Sequence, residues 1–170
     1  MKKQWKLYLV GVIAPWILIG IAYFYFQQQM GLIPCPLCMF QRAALVAISV
    51  VCLIALFYPS GIKAHKVFSS FVALSAAIGA GIAGRQVWLQ HLPADKVPEC
   101  GFDPVYRWME TGDGSYSFWQ MVATTLKGSG DCAAVDWSLL GLSMAGWMLL
   151  IFCLITLGAL VSLLRSKPQY

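Results

Sequence analysis

Four of the six cysteines in this 170-residue chain lie outside its apolar runs, in an arrangement that predicts thiol–disulfide chemistry. Cys35 and Cys38 form a Cys-Pro-Leu-Cys pair where one apolar run ends and the next begins. Cys100 and Cys132 lie in the only long polar stretch. A Cys-x-x-Cys pair suits zinc or redox work, but here the second cysteine also opens a predicted helix whose dipole favours a thiolate. We expect electrons to pass between the two pairs.

The two pairs differ in what a bridge would contribute. A Cys100–Cys132 bond closes a loop of about 33 residues, which in the chain-entropy model stabilises the fold by roughly 3.5 to 4 kcal/mol, so a purely structural disulfide remains an alternative there. A Cys35–Cys38 bond closes four residues and contributes only about 2 kcal/mol. Short, exposed bonds beside a helix N-terminus are typically labile and catalytic. Zinc bound by all four cysteines is a further alternative, although 61 residues separate Cys38 from Cys100.

The composition predicts an integral membrane protein, because 59% of the residues are hydrophobic and only 11% are charged. Four runs approach the roughly 20 apolar residues that cross a bilayer. We predict an all-α, four-transmembrane-helix bundle forming a single membrane domain over residues 1–170. The first run is too long for a cleaved signal and lacks a cleavage site, so we expect it to be retained. The predicted spans are about 7–26, 40–58, 67–88 and 139–164, with a long loop at about 90–137 between helices 3 and 4.

The charge distribution predicts the orientation. The formal net charge of +5 does not indicate nucleic-acid binding, because seven of the twelve basic residues fall at the two termini and the second connection. All seven acids lie in the third connection with three bases, a net of −4. The positive-inside rule therefore predicts a bacterial inner membrane protein with cytoplasmic termini and both cysteine pairs in the oxidising periplasm. The seven basic residues are Lys2, Lys3, Lys6, Lys63, Lys66, Arg165 and Lys167.

Arg42 follows Cys38 by four residues and therefore lies one turn deeper on the same helix face. An arginine near a helix end often extends to the lipid headgroups. Because it shares a face with Cys38, Arg42 is also a candidate to stabilise a thiolate or to donate a hydrogen bond to an electron acceptor. Both interpretations stand at this point.

Other residues have less distinctive predictions. Cys52 and Cys153 are interpreted as small buried apolar residues of the spans. His65 is expected to be solvated in a short cytoplasmic turn. Small residues at spacing four in the third run, among them Gly79, predict close helix contact. The loop at about 90–137 is expected to be hinged and water-facing, so that it presents its two cysteines to a soluble protein.

Taken together, these residues resemble the disulfide bond formation protein B (DsbB) family. The order, spacing and placement of the motifs match along all four predicted spans. The motifs are Pro34-Cys35-Pro36-Leu37-Cys38 with Gln41-Arg42, Val87-Trp88-Leu89-Gln90, Pro98-Glu99-Cys100-Gly101, and Gly128-Ser129-Gly130-Asp131-Cys132 leading to Trp137-Ser138-Leu139-Leu140-Gly141-Leu142-Ser143-Met144.

The resemblance implies a four-helix membrane enzyme that reoxidises a periplasmic DsbA-like dithiol oxidase and passes two electrons to a membrane quinone, either ubiquinone or menaquinone. By position, Cys100 exchanges with the partner oxidase, and Cys132 completes the loop pair. Cys35 exchanges with Cys132, while Cys38 faces the quinone as a thiolate with Arg42 beside it. Some members have a histidine where Gln86 stands in this chain, so no quinone role is assigned to Gln86.

Two other hypotheses remain from sequence. The first is a non-enzymatic membrane scaffold with structural disulfides. The second is a paralogue with the same chemistry that is dedicated to one partner oxidase. The Cys35–Cys38 pair discriminates against the scaffold, because so short a bridge adds little stability.

Overall fold

The computed structural model describes residues 2–32, 35–58, 61–93, 119, 123, 130–135 and 137–165. Within these ranges the chain is mainly helical. In chain order the elements are α1 (Lys2–Ile21), a π-helix (Ala22–Gln29), α2 (Pro36–Phe57), α3 (Ile62–Gln90), the short α4 (Gly130–Ala133), the paired strands β1 (Ser138–Leu139) and β2 (Leu142–Ser143), and α5 (Met144–Arg165).

Four of the helical segments are long and apolar enough to cross a membrane, with lengths of 25, 22, 29 and 22 residues. Their outer surfaces expose large apolar side chains such as Val10, Leu74 and Leu154, as lipid contact requires. The predicted all-α, four-transmembrane-helix bundle is therefore confirmed, and the chain is a multi-pass membrane protein. The four segments are Trp5–Gln29, Pro36–Phe57, Ile62–Gln90 and Met144–Arg165.

The bundle core forms where α3 packs against both α2 and α5. Leu45 from α2, Ala76 from α3 and Phe152 from α5 meet there, and each is almost fully buried. A Cβ atom added at Gly79 would lie 2.5 Å from the Phe152 ring. Since real Cβ atoms do not approach so closely, glycine at this position allows α3 and α5 to pack together, as the small-residue spacing predicted.

The end of the first span is a π-helix rather than an α-helix. π-Helical geometry is rare, and where it interrupts α-helices it is frequently found at functional sites. Ala22 and Phe26 are the buried residues of this segment. Sequence periodicity did not predict the change of helix type.

A tight turn precedes the last span. Leu140 (φ 53°) and Gly141 (φ 80°) adopt left-handed backbone angles between β1 and β2, so α5 begins at Met144 although the apolar run begins near residue 139. The Ser143 hydroxyl accepts a hydrogen bond from Gly146 N (3.2 Å) and donates one to Gln90 Oε1 (2.6 Å). These bonds cap α5 and tie its start to the end of α3.

His65 is buried, so its predicted exposure to solvent is wrong. The third helix begins at Ile62, earlier than expected, and therefore turns His65 into the bundle. There His65 Nδ1 lies 2.6 Å from the Tyr8 hydroxyl, and Nε2 lies 2.9 Å from the Ser162 hydroxyl. The histidine thus links three helices, because hydroxyl groups from α1 and α5 satisfy both ring nitrogens.

The two span cysteines differ in environment. Cys52 is buried against α1, where its Sγ would lie 2.5 Å from a Cβ added at Gly11. Cys153 is exposed on the outer surface of α5, so its predicted burial is wrong. Helix α5 has apolar residues all round, and composition alone therefore cannot tell its core face from its lipid face.

Candidate redox site

The Cys-Pro-Leu-Cys sequence folds as the capped start of α2. Cys35 is the N-cap residue with extended backbone angles, and its sulfur accepts a hydrogen bond from Cys38 N at 3.4 Å. Pro36 occupies the first helical turn, where its missing N–H has no intrahelical partner to lose. Both cysteines are free thiols, with Sγ atoms 2.8 Å apart. A disulfide of about 2.05 Å is therefore reached by a small movement.

Cys132 lies against this pair. The short helix α4 carries it, and its side chain is 0% exposed, packed in one apolar cluster with Cys35, Leu37 and Leu89. The prediction that Cys132 faces water is therefore wrong in this arrangement. Its burial depends on Leu89 at the end of α3, a contact between distant parts of the chain that loop composition does not indicate.

The Cys35 thiol is held in its protonated form. Its hydrogen bond with Cys132, then its hydrogen bond with Cys38, and then its burial raise the pKa of Cys35 well above the ordinary cysteine value. The single S–H of Cys35 therefore remains available to donate a hydrogen bond to Cys132 or to Cys38 while all three are reduced.

Three of the four predicted redox cysteines thus come together, namely Cys35, Cys38 and Cys132. Cys100, the fourth, lies outside the described residues. In the part of the chain that the structure describes, no three His, Cys, Asp or Glu side chains are arranged to hold a metal ion.

Two buried glutamines complete the cluster. Gln86 from α3 donates hydrogen bonds from Nε2 to Cys35 Sγ (3.3 Å) and Cys38 Sγ (3.4 Å). Gln41, three residues after Cys38, donates from Nε2 to Gln86 Oε1 at 2.8 Å. Neither residue had a role that was predicted from the sequence. The available signal was a pair of amides inside predicted spans, since buried polar side chains in membrane helices usually bind one another or line a functional site.

Arg42 contacts the π-helix. Its Nη1 donates a hydrogen bond to Gln27 Oε1 at 2.8 Å, which joins α2 to the end of the first span. The guanidinium group carries five N–H donors, so this contact fixes its position while engaging only part of its donor capacity.

An apolar cavity of about 370 Å³ lies beside Cys38 and Arg42. The π-helix, α2 and the start of α5 form its walls. Phe26 and Trp137 border it and meet edge to face, with ring centroids 5.0 Å apart. The volume is within the range of small-molecule sites, which typically combine apolar walls with a few polar groups. Gln41 also lines the cavity.

Comparison with known proteins assigns the family. The family model for disulfide bond formation protein DsbB matches residues 3–162. The disulfide bond formation protein B of Marinobacter nauticus is 39% identical over 99% of this chain and 97% of its own. The protein of the same name from Acinetobacter baumannii is 40% identical and covers 100% of this chain and 97% of its own length. The one from Methylococcus capsulatus is 44% identical and covers 79% of this chain and 78% of its own length. With this coverage and the cysteine cluster in a four-helix membrane bundle, the chain belongs to the disulfide bond formation protein B family.

Proposed function

We propose that this chain is a quinone-dependent thiol oxidoreductase that reoxidises a periplasmic DsbA-like dithiol oxidase and passes the electrons to a membrane quinone. One observation carries the proposal. Cys35 hydrogen-bonds to Cys132 on one side, and its neighbour Cys38 lines an apolar cavity with Arg42 on the other. A single sulfur cluster therefore links the loop cysteine to a site for an apolar electron acceptor.

The first exchange takes place with the partner. A partner thiolate attacks the Cys100–Cys132 disulfide at Cys100, forming a mixed disulfide and releasing the Cys132 sulfur. The second partner thiolate attacks the mixed disulfide in turn. The partner leaves with a disulfide, and Cys100 and Cys132 are left reduced by two electrons.

The second exchange takes place within this chain. Cys132 attacks Cys35 in the Cys35–Cys38 disulfide, and Cys38 leaves as a thiolate. Cys100 then attacks Cys132, which restores the loop disulfide and leaves Cys35 and Cys38 reduced. The burial of Cys132 against Cys35 supports this step, because the attacking and attacked sulfurs are already in contact.

The cavity suits a quinone. Its walls are apolar enough for a flat ring, Cys38 lies at its edge, and the Arg42 guanidinium offers N–H donors for a ring oxygen. A bound quinone supplies the final acceptor for two electrons and two protons. The Cys35–Cys38 disulfide re-forms when the dithiol loses these two electrons and two protons. Ubiquinone and menaquinone are both compatible with such a cavity.

The proposed location is the bacterial inner membrane, with both termini cytoplasmic and the cysteine cluster on the periplasmic side. The arrangement of the helices supports it. Lys63 and Arg165 lie at the end of the bundle where His65 meets Ser162, whereas Cys35 begins α2 at the opposite end. Two of the seven basic residues that predict the cytoplasmic side therefore lie at the end of the bundle opposite to the cysteines.

The test is turnover by purified protein in detergent with a quinone and a reduced DsbA-like partner, followed by the absorbance change of quinone reduction. We expect reduction that requires both substrates and that is absent in Cys38→Ser. A protein that binds the partner without reducing quinone would instead support the scaffold hypothesis.

A further inference from the structure

The Gln41–Gln86 pair is the part of the cysteine cluster that has no role in the two thiol–disulfide exchanges proposed above. Both side chains are almost fully buried, Gln41 at 3% and Gln86 at 5% exposure. A buried amide is costly unless its polar atoms are hydrogen-bonded. The Gln86 oxygen is bonded by Gln41, and its nitrogen is directed to sulfur. Two helices thus bring an amide to the redox pair.

Gln41 determines which end of the Gln86 amide faces the sulfurs. Because the Gln41 nitrogen donates to Gln86 Oε1 at 2.8 Å, the Gln86 NH₂ group is left to face Cys35 and Cys38. That one nitrogen lies 3.3 Å and 3.4 Å from the two sulfurs, so it spans the pair whose Sγ atoms are 2.8 Å apart.

The same amide matches both protonation states of Cys38. When the sulfur is charged, the amide nitrogen donates to it, and hydrogen bonds to ionised acceptors are stronger than neutral ones. When the sulfur carries a proton, its S–H is directed at Gln86 Oε1, which lies 3.7 Å away. A carboxamide supplies both a donor and an acceptor, which a lysine or arginine does not.

We propose that Gln86 is a catalytic residue for oxidation of the Cys35–Cys38 dithiol, and that Gln41 is a positioning residue that orients its amide. This inference rests on the proposed function. In the step concerned, the S–S bond forms and two electrons and two protons leave for the quinone. The Gln86 amide keeps all its atoms and is neither oxidised nor reduced. It stabilises charge on the sulfurs and keeps them adjacent while the bond forms.

The roles of Gln86 and Arg42 are separable by position. Gln86 contacts the sulfurs from α3, whereas Arg42 contacts Gln27 and lines the cavity. Loss of the amide should therefore slow the chemistry at saturating quinone, with little change in the quinone concentration that gives half-maximal rate. Loss of a hydrogen bond to a charged group predicts about a tenfold or larger decrease in rate.

The experiment uses Gln86→Leu, which keeps the size but removes the hydrogen bonds, and Gln41→Glu, whose ionised carboxylate can only accept. Because burial favours the neutral carboxyl, which can donate, the Gln41→Glu rates are taken from the alkaline end of a pH series, where the carboxyl is ionised. In Gln41→Glu the Gln86 amide should turn its NH₂ toward the carboxylate and present its oxygen to the sulfurs. The matched control is Gln90→Leu, the same change one turn along α3 at a residue bonded to Ser143. Single-turnover oxidation of the reduced full-length protein by quinone is measured, alongside exchange with the partner.

We expect Gln86→Leu and Gln41→Glu to slow the quinone half-reaction by about tenfold or more. The quinone half-reaction of Gln90→Leu, and the partner half-reaction of all three variants, should stay within about twofold of the wild-type rates. A Gln86→Leu rate within twofold of wild type would overturn the proposal. So would equal losses in both half-reactions with a lowered melting temperature, which indicate a folding role.

A second readout separates this inference from the proposed function. Iodoacetamide labelling of Cys38 in the reduced protein, quantified by mass spectrometry, requires no quinone. Slower labelling in Gln86→Leu and Gln41→Glu than in Gln90→Leu supports the amide–sulfur contact even if wild type fails to reduce quinone. Equal labelling rates in all three variants would contradict it.

Discussion

At the residue scale, the function of Cys35 follows from its two sulfur neighbours. The hydrogen bond with Cys132, followed by that with Cys38 and by burial, raises the pKa of Cys35. The folded, reduced protein thus keeps a proton that an unfolded cysteine, with a pKa of about 8.5, loses. The unfolded state then binds fewer protons, so this thiol lowers stability as the pH rises above about 8.5.

The raised pKa of Cys35 predicts low reactivity. At pH 9 we expect iodoacetamide to label Cys35 in the reduced wild type at least about tenfold more slowly than in Cys132→Ala, which removes the largest cause of the shift. Site-resolved mass spectrometry provides the measurement. Labelling of both proteins after unfolding in denaturant is the control and should give equal modification of Cys35. Unchanged Cys35 labelling would mean that Cys132 does not control this thiol.

Arg42 gives a prediction that separates its two candidate roles. If the guanidinium orients the acceptor or favours the Cys38 thiolate, Arg42→Ala should slow quinone reduction far more than it slows exchange between Cys100 and the partner. Arg42→Lys should be intermediate, because the charge survives but the planar set of donors does not. Stopped-flow measurement of each half-reaction checks this. Equal losses in both would indicate anchoring at the membrane surface.

At the element scale, the four spans were predictable and the details of their ends were not. Length and apolarity determine whether a segment can cross a bilayer, and both are visible in sequence. The π-helix at Ala22–Gln29 and the turn at Leu140 depend on local backbone geometry, which hydrophobicity does not encode. The burial of His65 depends on hydroxyl partners from two other helices.

The candidate site was likewise predictable only in part. Cys35, Cys38 and Arg42 lie close together in sequence, so spacing along one helix was sufficient to associate them. Gln86 is 45 positions from Gln41, and only the packing of α3 on α2 brings their amides together. Burial of Cys132 likewise requires the end of α3. Contacts between helices therefore account for what sequence spacing missed.

The α3–α5 contact predicts a size limit at Gly79. Gly79→Ala should lower the free energy of unfolding by about 1 to 3 kcal/mol, because the added Cβ would meet the Phe152 ring at 2.5 Å. Gly81→Ala is the matched control, since a Cβ there meets nothing within 4 Å. Thermal unfolding in detergent provides the comparison. Adding Phe152→Leu to Gly79→Ala should recover part of the loss, and equal melting temperatures for the two alanine variants would contradict the predicted clash.

At the scale of the whole molecule, the charge distribution predicts one orientation. In a variant lacking the native cysteines, an impermeant thiol reagent added to intact cells should label Ser115→Cys but not Ser60→Cys. The physical reason is that seven of twelve basic residues lie at the termini and second connection, opposite to all seven acids. Both single-cysteine proteins should label after the cells are opened. Labelling of Ser60→Cys alone in intact cells would reverse the proposed orientation.

The order of the electron relay is also a property of the whole molecule, because each sulfur has a different neighbour. Removing a resolving cysteine should trap the preceding mixed disulfide. Within this chain, Cys132 is the thiol that can displace the partner from Cys100. We therefore expect Cys132→Ser, incubated with the oxidised partner, to accumulate a disulfide-linked complex: the Cys100 thiolate attacks the partner disulfide, the second partner sulfur leaves, and the complex is visible on non-reducing gels. In Cys38→Ser, the contact of Cys35 with Cys132 should instead favour a bond between those two residues, detectable by peptide mapping.

Turnover measurements complete the test of the relay. Cys35→Ser and Cys38→Ser should abolish net quinone reduction, because Cys38 lines the apolar cavity and Cys35, whose sulfur lies 2.8 Å from that of Cys38, is its disulfide partner. Cys52→Ala and Cys153→Ala are the controls and should stay near wild type, since neither residue belongs to the Cys35 cluster. Full quinone-dependent turnover in Cys38→Ser, or loss of turnover in a folded Cys52→Ala, would mean that electrons leave this protein by another route.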